Sequence, residues 1–224
     1  MSILNLKIIE SNSTHPFSNL KEEEKTLFKS NLESTVILRF WVNSPSVFIG
    51  KFQKEEYEVD LALSERLQVP VLRRFSGGGA VYHDEGVLNV TIVKEKKLRL
   101  YSNYIIDEAK YLTKLIGESI TDLIGINVSI NERNGIFVCD KKIAGSSVAV
   151  SRNFLYHISI LVDANLELLE KILKGKLYEN GEKKFVKSVK SKVSNLKEFN
   201  KDLNVDILKE KIREDLNRKL GKND

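Results

Sequence analysis

The sequence predicts one α+β domain with a mixed, mostly antiparallel sheet flanked by helices. Two observations support this prediction. Segments typical of strands and helices follow one another irregularly, without the regular strand–helix–strand order of a parallel sheet. The chain has 224 residues, of which 42% are hydrophobic and 30% charged, proportions that suit a globular domain with its own core. We therefore expect residues 1–224 to form a single domain.

The first part of the chain supplies most of the predicted strands. β-Branched and aromatic residues dominate these segments, as they do in half-buried sheets. The strands cover residues 3–9, 36–42, 71–74, 80–82 and 87–93. Two helices are predicted among them, one over residues 19–30, which are rich in Glu and Lys, and a short one over residues 61–67.

The strongest helix prediction covers residues 102–124. Apolar residues recur there at spacings of three and four, which places them on one face of a helix. They are Ile105, Ala109, Leu112, Ile116, Ile120 and Leu123. We expect Ser102 to cap the N-terminus of this helix and Gly125 to follow its end.

The remainder of the chain begins with strands and ends with helices. Residues 128–162 are predicted to form short strands separated by turns. Residues 165–174 form a short predicted helix, and residues 203–224 contain a C-terminal one. A single stripe of this last helix carries Leu208, Ile212, Leu216 and Leu220.

Charge, cysteine content and hydropathy restrict the possible function classes. The net charge is +5 and the pI about 9.1, which is weak evidence for any partner. The one cysteine, Cys139, cannot form an internal disulfide, and this predicts a reducing, cytoplasmic location. We expect Cys139, which ends the apolar segment 136–138, to be a buried strand residue. No apolar run approaches the ~18 residues of a membrane span, and no secretory signal is recognised.

The segment RRFSGGGAVYHD, residues 73–84, is the strongest candidate site. Three consecutive glycines let backbone N–H groups approach a ligand closely, and the preceding arginines can hold a phosphate or carboxylate bidentately. The alternative is a flexible hairpin turn with two solvated arginines, but the flanking Arg-Arg and His-Asp pairs favour a site. The spacing matches neither the P-loop nor the dinucleotide-binding fingerprint.

This segment resembles the signature of the lipoate–protein ligase A group in the biotin/lipoate ligase superfamily. Other segments are similar to further blocks of that family, in the same order, over roughly residues 5 to 200. They are residues 16–19 with Glu23, residues 48–59, Asn134 with residues 142–147, residues 157–163 and residues 188–196. The resemblance implies the catalytic fold of biotin and lipoate ligases.

The resemblance also implies an activity, which is the activation of lipoate with ATP and Mg²⁺ to lipoyl-AMP and transfer of lipoyl to a lysine of a carrier domain. The carrier would be an E2 subunit of a 2-oxoacid dehydrogenase or the H protein of glycine cleavage. Lys142 would be the catalytic lysine, and its neighbour Lys141 should face away, because successive residues of a strand alternate. Residues expected to bind ATP or lipoyl-AMP are Arg73, Arg74, Ser76, Gly77, Gly78, Gly79, His83, Asn89, Asn134, Gly145, Ser146 and His157. No metal ligand is assigned.

Several departures and alternatives accompany this hypothesis. The family pattern has Asn where this chain has Val87, Asp where it has Gly135 and Gly where it has Ile158. Octanoyl and lipoyl transferases share the fold but form a thioester on a cysteine without ATP. His157, in an alternating strand, is alternatively a hydrogen-bonded sheet residue. Lipoate and octanoate are not distinguished as substrates.

Partner predictions follow from the same resemblance. The chain has no room for the family's C-terminal accessory domain, so we expect that domain to be absent or to be a separate subunit. The lysine-rich residues 174–192 are interpreted as a solvated loop or as a flap over the site. A basic nucleic-acid-binding module is the alternative of another class, and it is disfavoured because few aromatic residues interleave with those lysines.

Overall fold

The structure is a computed structural model that describes residues 5–174, 188 and 191–221. The strands are β1 (Asn5–Glu10), β2 (Thr35–Trp41), β3 (Ser46–Ile49), β4 (Val71–Arg73), β5 (Val81–His83), β6 (Val87–Glu95), β7 (Ser129–Ile130), β8 (Ile136–Val138), β9 (Lys141–Val150) and β10 (Asn153–Leu161). The α-helices are α1 (Pro16–Phe28), α2 (Glu55–Glu58), α3 (Leu61–Arg66), α4 (Ile105–Ile124), α5 (Leu166–Ile172) and α6 (Val205–Leu220). A short 3₁₀ turn, Leu196–Glu198, precedes α6.

Two sheets organise the described residues. The larger has seven strands in the order β1-β2-β6-β10-β9-β8-β7, and the smaller has the order β4-β3-β5. Only two of these pairings are parallel, β1 with β2 and β3 with β4. The prediction of a mixed, mostly antiparallel sheet flanked by helices is therefore confirmed.

The main core lies on one face of the large sheet, beneath α4 and α6. Leu112, Ile116 and Ile120 of α4 are fully buried there, together with Ile212 and Leu216 of α6. These residues belong to the apolar stripes that the sequence predicts for the two helices. Since this face is filled, the polar residues of the same strands are left to line the opposite face.

One detail of α4 differs from the prediction. The helix begins at Ile105, and its N-cap residue Tyr104 makes no side-chain cap. Ser102 lies outside the helix, where its hydroxyl accepts a hydrogen bond from the Tyr104 N–H and donates one to Asp107. The expected end is correct, because Gly125 adopts a left-handed conformation with φ of 68° and donates its N–H to the Thr121 carbonyl.

The small sheet sets the position of the three glycines. Strands β4 and β5 do not pair with each other, since both pair with β3, which lies between them. The glycine segment therefore crosses over the end of β3 instead of closing a hairpin. This excludes the hairpin alternative and brings residues 76–79, hereafter the glycine loop, over the polar face of the large sheet.

Most other element boundaries agree with the sequence prediction to within about three residues. Helix α1 starts earlier than expected because Pro16 occupies its first turn and His15 caps it by accepting from the Ser18 N–H. Strand β3 and the four-residue helix α2 were not predicted from residue patterns. No helix among the described residues is both long and apolar enough to cross a membrane. Most of the lysine-rich stretch 174–192 lies outside the described residues.

Candidate active site

A cavity of about 740 Å³ opens between the polar face of the large sheet and the glycine loop. Several of the residues expected to bind a nucleotide or acyl-adenylate line it. They are Arg74, Gly78, Gly79, His83, Asn89, Lys142, Gly145, Ser146 and His157. The remaining predicted residues, Arg73, Ser76, Gly77 and Asn134, lie outside the cavity wall and support it from behind.

Arg74 organises the glycine loop from within. Its buried guanidinium donates to the carbonyl oxygens of Gly77 and Gly79, each at 2.7 Å, and to the Phe48 carbonyl at 3.0 Å. Burial lowers the pKa of Arg74 to about 10, so it remains a cation at neutral pH. The arginine therefore fixes the loop through its carbonyl groups, where the sequence suggested a direct clamp on phosphate.

The loop carbonyls and N–H groups face in opposite directions. Because C=O and the following N–H are antiparallel in a trans peptide, the Gly77 and Gly79 carbonyls turned towards Arg74 turn the N–H groups of Gly78 and Ala80 away from it. The Ala80 N–H donates to Ser188 Oγ at 2.8 Å, whereas that of Gly78 has no such partner in the part of the chain that the structure describes. Among the described residues, no acceptor takes a hydrogen bond from the N–H of Gly77, Gly78 or Gly79. Gly78 has a φ of 90°, a conformation that favours glycine. The loop thus offers unpaired donors of the kind that bind phosphate oxygens or an oxyanion.

Arg73 has a different role from Arg74. Its exposed guanidinium bonds to carbonyl oxygens of the turn after β3, including those of Gly50 at 3.2 Å and Gln53 at 2.5 Å. The turn approaches the loop so closely that a Cβ on Gly50 would lie 2.2 Å from the Gly78 carbonyl oxygen. Arg73 therefore holds the surface on which the glycine loop rests.

Lys142 enters the cavity and Lys141 does not. Lys141 donates to Glu198 at 3.0 Å on the surface, as expected for adjacent residues of a strand. Within the described residues no acceptor binds Lys142 Nζ. Burial lowers the pKa of Lys142 below its ordinary value, and the positive charge of Arg133 lowers it further. A desolvated cation without an anionic partner is suited to bind an anionic ligand.

Two glycines make room for the Lys142 side chain. A Cβ on Gly145 would lie 3.1 Å from Lys142 Nζ, and a Cβ on Gly135 would lie 3.3 Å from Lys142 Cε. The backbone of Lys142 is held as well, because its N–H donates to the Lys192 carbonyl and its own carbonyl accepts from Ser194. The lysine is therefore held at its backbone, while the two glycines leave space for its side chain in the cavity.

His83 is a neutral histidine in the cavity wall. The amide of Asn43 lies 3.0 Å from Nδ1, and Asn43 Oδ1 already accepts from Asn19, so the Asn43 NH₂ group donates to Nδ1. Nε2–H then donates to Ser159 Oγ at 2.9 Å, and Ser159 donates to Asn89 Oδ1 at 2.7 Å. Burial, assisted by the Arg74 cation, lowers the pKa of His83 to about 3. His83 can therefore orient a ligand but carries no charge at neutral pH.

His157 faces the cavity from β10 and connects two elements. Its Nδ1 lies 3.2 Å from Glu23 Oε1 of α1, and its Nε2 lies 2.8 Å from Ser76 Oγ of the glycine loop. Burial acts to raise the pKa of Glu23, but His157, the Thr91 hydroxyl and the Arg39 charge together hold it below the ordinary value. His157 is therefore a hydrogen-bonded sheet residue, as the alternative expected, and it also lines the cavity.

Ser146 lines the cavity, and Asn134 supports it from outside the wall. Ser146 Oγ donates to the Asn134 carbonyl at 3.0 Å, which ties strand β9 to the turn before β8. Asn134 has a φ of 56°, and its buried Oδ1 has no hydrogen-bond partner among the described residues. The exposed Arg133 of the same turn reaches the cavity mouth.

The expectation for Cys139 is wrong. The residue is exposed and occupies the turn between β8 and β9 with a φ of 45°, so it does not continue the buried strand. Strand β8 ends at Val138, and the turn that follows exposes Cys139 and Asp140. Cys139 is the only cysteine of the chain, and it is not part of the cavity wall.

A second, smaller space of about 150 Å³ adjoins the first. Both spaces are bordered by Lys142, Gly145 and Ser159, while Leu161 and Leu169 give the smaller one an apolar wall. Lys142 consequently lies at the boundary of two compartments, where two parts of a ligand, or two ligands, would meet.

Some site residues were not identified from the sequence. They are Glu23, Asn43, Ser147 and Ser159. Ser147 Oγ donates to the Gly77 carbonyl at 2.9 Å and so adds a third support to the glycine loop. Strand alternation could have revealed two of them, because Ser147 follows Gly145, and Ser159 follows His157, at the spacing that places residues on one face.

Comparison with known proteins agrees with this geometry. A family model described as the lipoyl protein ligase A/B catalytic domain matches residues 15–217. The chain belongs to this family. Lipoate-protein ligase A of Psychrobacter cryohalolentis is 35% identical over 216 residues, which are 94% of this chain and 59% of that protein. Lipoate-protein ligase A subunit 1 of Thermoplasma acidophilum is 31% identical over 190 residues, 81% of this chain and 70% of that protein.

Solved structures show the same relationship. A lipoate-protein ligase A bound with ATP superposes with a TM-score of 0.79 at 25% identity, covering 98% of this chain and 86% of that one. An archaeal bi-partite lipoate protein ligase from Thermoplasma acidophilum gives a TM-score of 0.78 at 26% identity, covering 97% and 84%. The biotin protein ligase of Aquifex aeolicus shares the fold alone, with a TM-score of 0.51 at 14% identity, covering 96% and 70%. The chain spans 56–59% of the length of three bacterial lipoate ligases that it matches.

The described residues do not provide a metal site. No group of three or more His, Cys, Asp or Glu side chains able to hold a metal ion occurs among them. Glu23, the only carboxylate in the wall of the larger cavity within the described residues, is bonded to His157 and Thr91. Protein ligands for Mg²⁺ are therefore not assigned.

Proposed function

We propose that this protein is an ATP-dependent lipoate–protein ligase that forms lipoyl-AMP and then transfers the lipoyl group to a lysine of a carrier domain. The observation that supports this most strongly is the pairing of an unpartnered Lys142 with the unpaired N–H donors of the glycine loop across one cavity. Both kinds of group stabilise negative charge that develops during acyl and phosphoryl transfer.

The proposed chemistry has two steps. In the first, a carboxylate oxygen of lipoate attacks the α-phosphorus of ATP, and pyrophosphate leaves. In the second, the amine of the carrier lysine attacks the acyl carbonyl, AMP leaves, and the amine loses a proton. Lys142 borders both compartments of the cavity, so its ammonium can reach the acyl carbonyl and the phosphate in either step. Mg²⁺ enters this proposal only as a counter-ion of the ATP phosphates.

The rival transferase reaction needs a nucleophilic cysteine in the site. Cys139 is the chain's only cysteine, and it lies in an exposed turn outside the cavity wall. We therefore expect Cys139→Ala to retain the activity of the wild type. ATP-independent octanoyl transfer that disappears in this variant would favour the transferase instead.

The decisive experiment is lipoate-dependent ATP–pyrophosphate exchange by the purified chain. Lys142→Ala should reduce the exchange rate by about 10²–10³, the usual effect of removing one preorganised donor to a developing negative charge. Lys141→Ala is the matched control and should stay within about twofold of the wild type, because its ammonium pairs with Glu198 at the surface. Equal losses in the two variants would contradict the role of Lys142.

Partners are a further part of the proposal. We propose a lipoyl carrier domain as acceptor, and a separate small accessory subunit for the transfer step. Support comes from the similarity to a ligase described as bi-partite and solved with its E2 lipoyl domain. Exchange by the chain alone, with transfer restored only by a companion protein, would support a divided enzyme. The cytoplasmic location indicated by the single cysteine stays a prediction.

A further inference from the structure

Six polar groups form one continuous hydrogen-bonded chain between the glycine loop and the floor of the cavity. At one end Arg74 Nε donates to Ser76 Oγ at 3.0 Å, and Ser76 contacts His157 Nε2 at 2.8 Å. His157 Nδ1 lies 3.2 Å from Glu23 Oε1. At the other end Trp41 Nε1 donates to Thr91 Oγ1 at 2.9 Å, and Thr91 donates to the same Glu23 oxygen at 2.5 Å.

Only one placement of the protons satisfies every member of this chain. Ser76 is 1% exposed and accepts from Arg74, so its own hydroxyl proton needs an acceptor, and His157 Nε2 is the acceptor within reach. Nδ1 must then carry the proton of His157, which it donates to the Glu23 carboxylate. A protonated imidazole would turn an Nε2–H towards Ser76 and leave the serine proton buried without a partner.

Three neighbours, His157, the Thr91 hydroxyl and the Arg39 charge, hold the pKa of Glu23 below its ordinary value. The carboxylate is 1% exposed and would be costly to bury without a counter-charge. Arg39, which is 3% exposed on β2, supplies a permanent positive charge nearby and donates to Asn19 Oδ1 at 2.5 Å. The other charged group at this end of the cavity is Arg74, which stabilises the loop itself, while His83 is neutral. Arg39 is therefore the permanent positive charge beside Glu23, and the tautomer of His157 is assigned by the hydrogen bonds of Ser76 alone.

We propose that Glu23 is a positioning residue, which acts through the Nδ1–H tautomer of His157 to aim the Ser76 hydroxyl and hold the glycine loop in place. The geometry makes α1 part of the machinery that presents the loop N–H groups to a ligand. Glu23 itself needs no contact with the reacting atoms for this role. The inference deepens the proposed function, and only its kinetic test rests on that function.

The first test is spectroscopic and uses the unmodified protein. The chain has three histidines, so the ring nitrogens can be assigned by ¹⁵N NMR with single His→Gln variants. At neutral pH we expect His157 as the neutral Nδ1–H tautomer and His83 as the neutral Nε2–H tautomer, which serves as an internal reference. An Nε2–H tautomer or an imidazolium at His157 would overturn the inference, whether or not the protein has ligase activity.

The second test is a double-mutant cycle in the exchange assay at saturating ATP and lipoate. Glu23→Ala should reduce the maximal rate about 10- to 100-fold, as expected for a misplaced catalytic group. Glu23→Gln, which keeps an acceptor for Nδ1–H, should recover most of the rate and the same tautomer. If Glu23 acts through His157 and Ser76, the double variant Glu23→Ala/Ser76→Ala should lose no more of the maximal rate than the worse of the two single variants. Additive losses would contradict the proposed route.

A matched control separates this role from general destabilisation. Asp215 is another buried carboxylate that accepts from a serine, since Ser119 donates to it at 2.8 Å, but it lies between α4 and α6 on the other face of the sheet. Asp215→Ala should lower the unfolding midpoint and leave the tautomer of His157 unchanged. A similar tautomer change in both variants would assign Glu23 a purely structural role. A wild type without exchange activity would refute the proposed function, whereas the tautomer measurement would still test this inference.

Discussion

At the scale of single residues, the molecule distinguishes groups that face a ligand from groups that hold them. Arg73 and Arg74 are adjacent in the sequence and identical in chemistry, yet one supports a turn and the other the glycine loop. The sequence predicted both as residues of one ligand-binding segment. The sequence could not assign a different role to each arginine. Both guanidinium groups donate to backbone carbonyls, and the positions of these carbonyls depend on the small sheet.

Gly145 provides a prediction at this scale. A methyl group at this position would lie 3.1 Å from Lys142 Nζ and would displace the end of a flexible side chain without straining the backbone. Gly145→Ala should therefore lower the exchange rate about tenfold or more, with little change in the free energy of unfolding. In the double variant with Lys142→Ala, the alanine at 145 should cause no further loss. A large additional loss would show that Gly145 acts independently of the lysine.

At the scale of elements, the site depends on how the glycine loop crosses the small sheet. The residue patterns predicted β4 and β5 but missed β3 between them, since its four residues, SVFI, are too few for a periodic signal. Chain segments far apart in sequence complete the site, such as Glu23 with His157 and Ser76 with His157. Such contacts arise from strand order and register, which a single sequence does not encode as a local pattern.

Gly50 tests the contact between the β3 turn and the loop. Because its Cβ would overlap the Gly78 carbonyl oxygen at 2.2 Å, Gly50→Ala must displace backbone and should cost about 1–3 kcal/mol of stability. Gly77→Ala is the matched control, since nothing lies within 4 Å of its added methyl group, and we expect a change within ~0.5 kcal/mol. Urea denaturation measures both values. Equal stability of the two variants would refute the close packing.

At the scale of the whole molecule, the main core and the cavity lie on opposite faces of the large sheet, and a smaller apolar cluster under α1 shares the face of the cavity. The α4–α6 face of the sheet carries the main core, and the other face carries the polar residues of the cavity. The fold class and the core helices could be predicted because apolar periodicity reports directly on burial. The cavity face could be identified only in part, since its polar residues look like ordinary strand residues until the glycine loop covers them.

His83 links this polar face to the stability of the protein. Its pKa of about 3 in the folded state lies below the ordinary value of 6.5, so the unfolded chain binds the proton more readily. The contribution of neutral His83 to the free energy of unfolding is complete above pH 6.5. It is lost as the pH falls towards 3, by up to ~1.4 kcal/mol per pH unit. The stability of the wild type relative to His83→Gln should therefore decrease in this range. A difference that is constant with pH would contradict a buried neutral His83.

The backbone of Lys142 depends on a part of the chain made much later. Its N–H and carbonyl bond to Lys192 and Ser194, some fifty residues downstream. During synthesis, β9 leaves the ribosome before residues 192–194 do. At that stage the backbone of Lys142 has no hydrogen-bond partners at these two positions. We therefore expect a ribosome-bound protein to acquire the ability to bind an acyl-adenylate abruptly, when both that distal stretch and the core helix α6 have left the exit tunnel, and not gradually as the sheet grows.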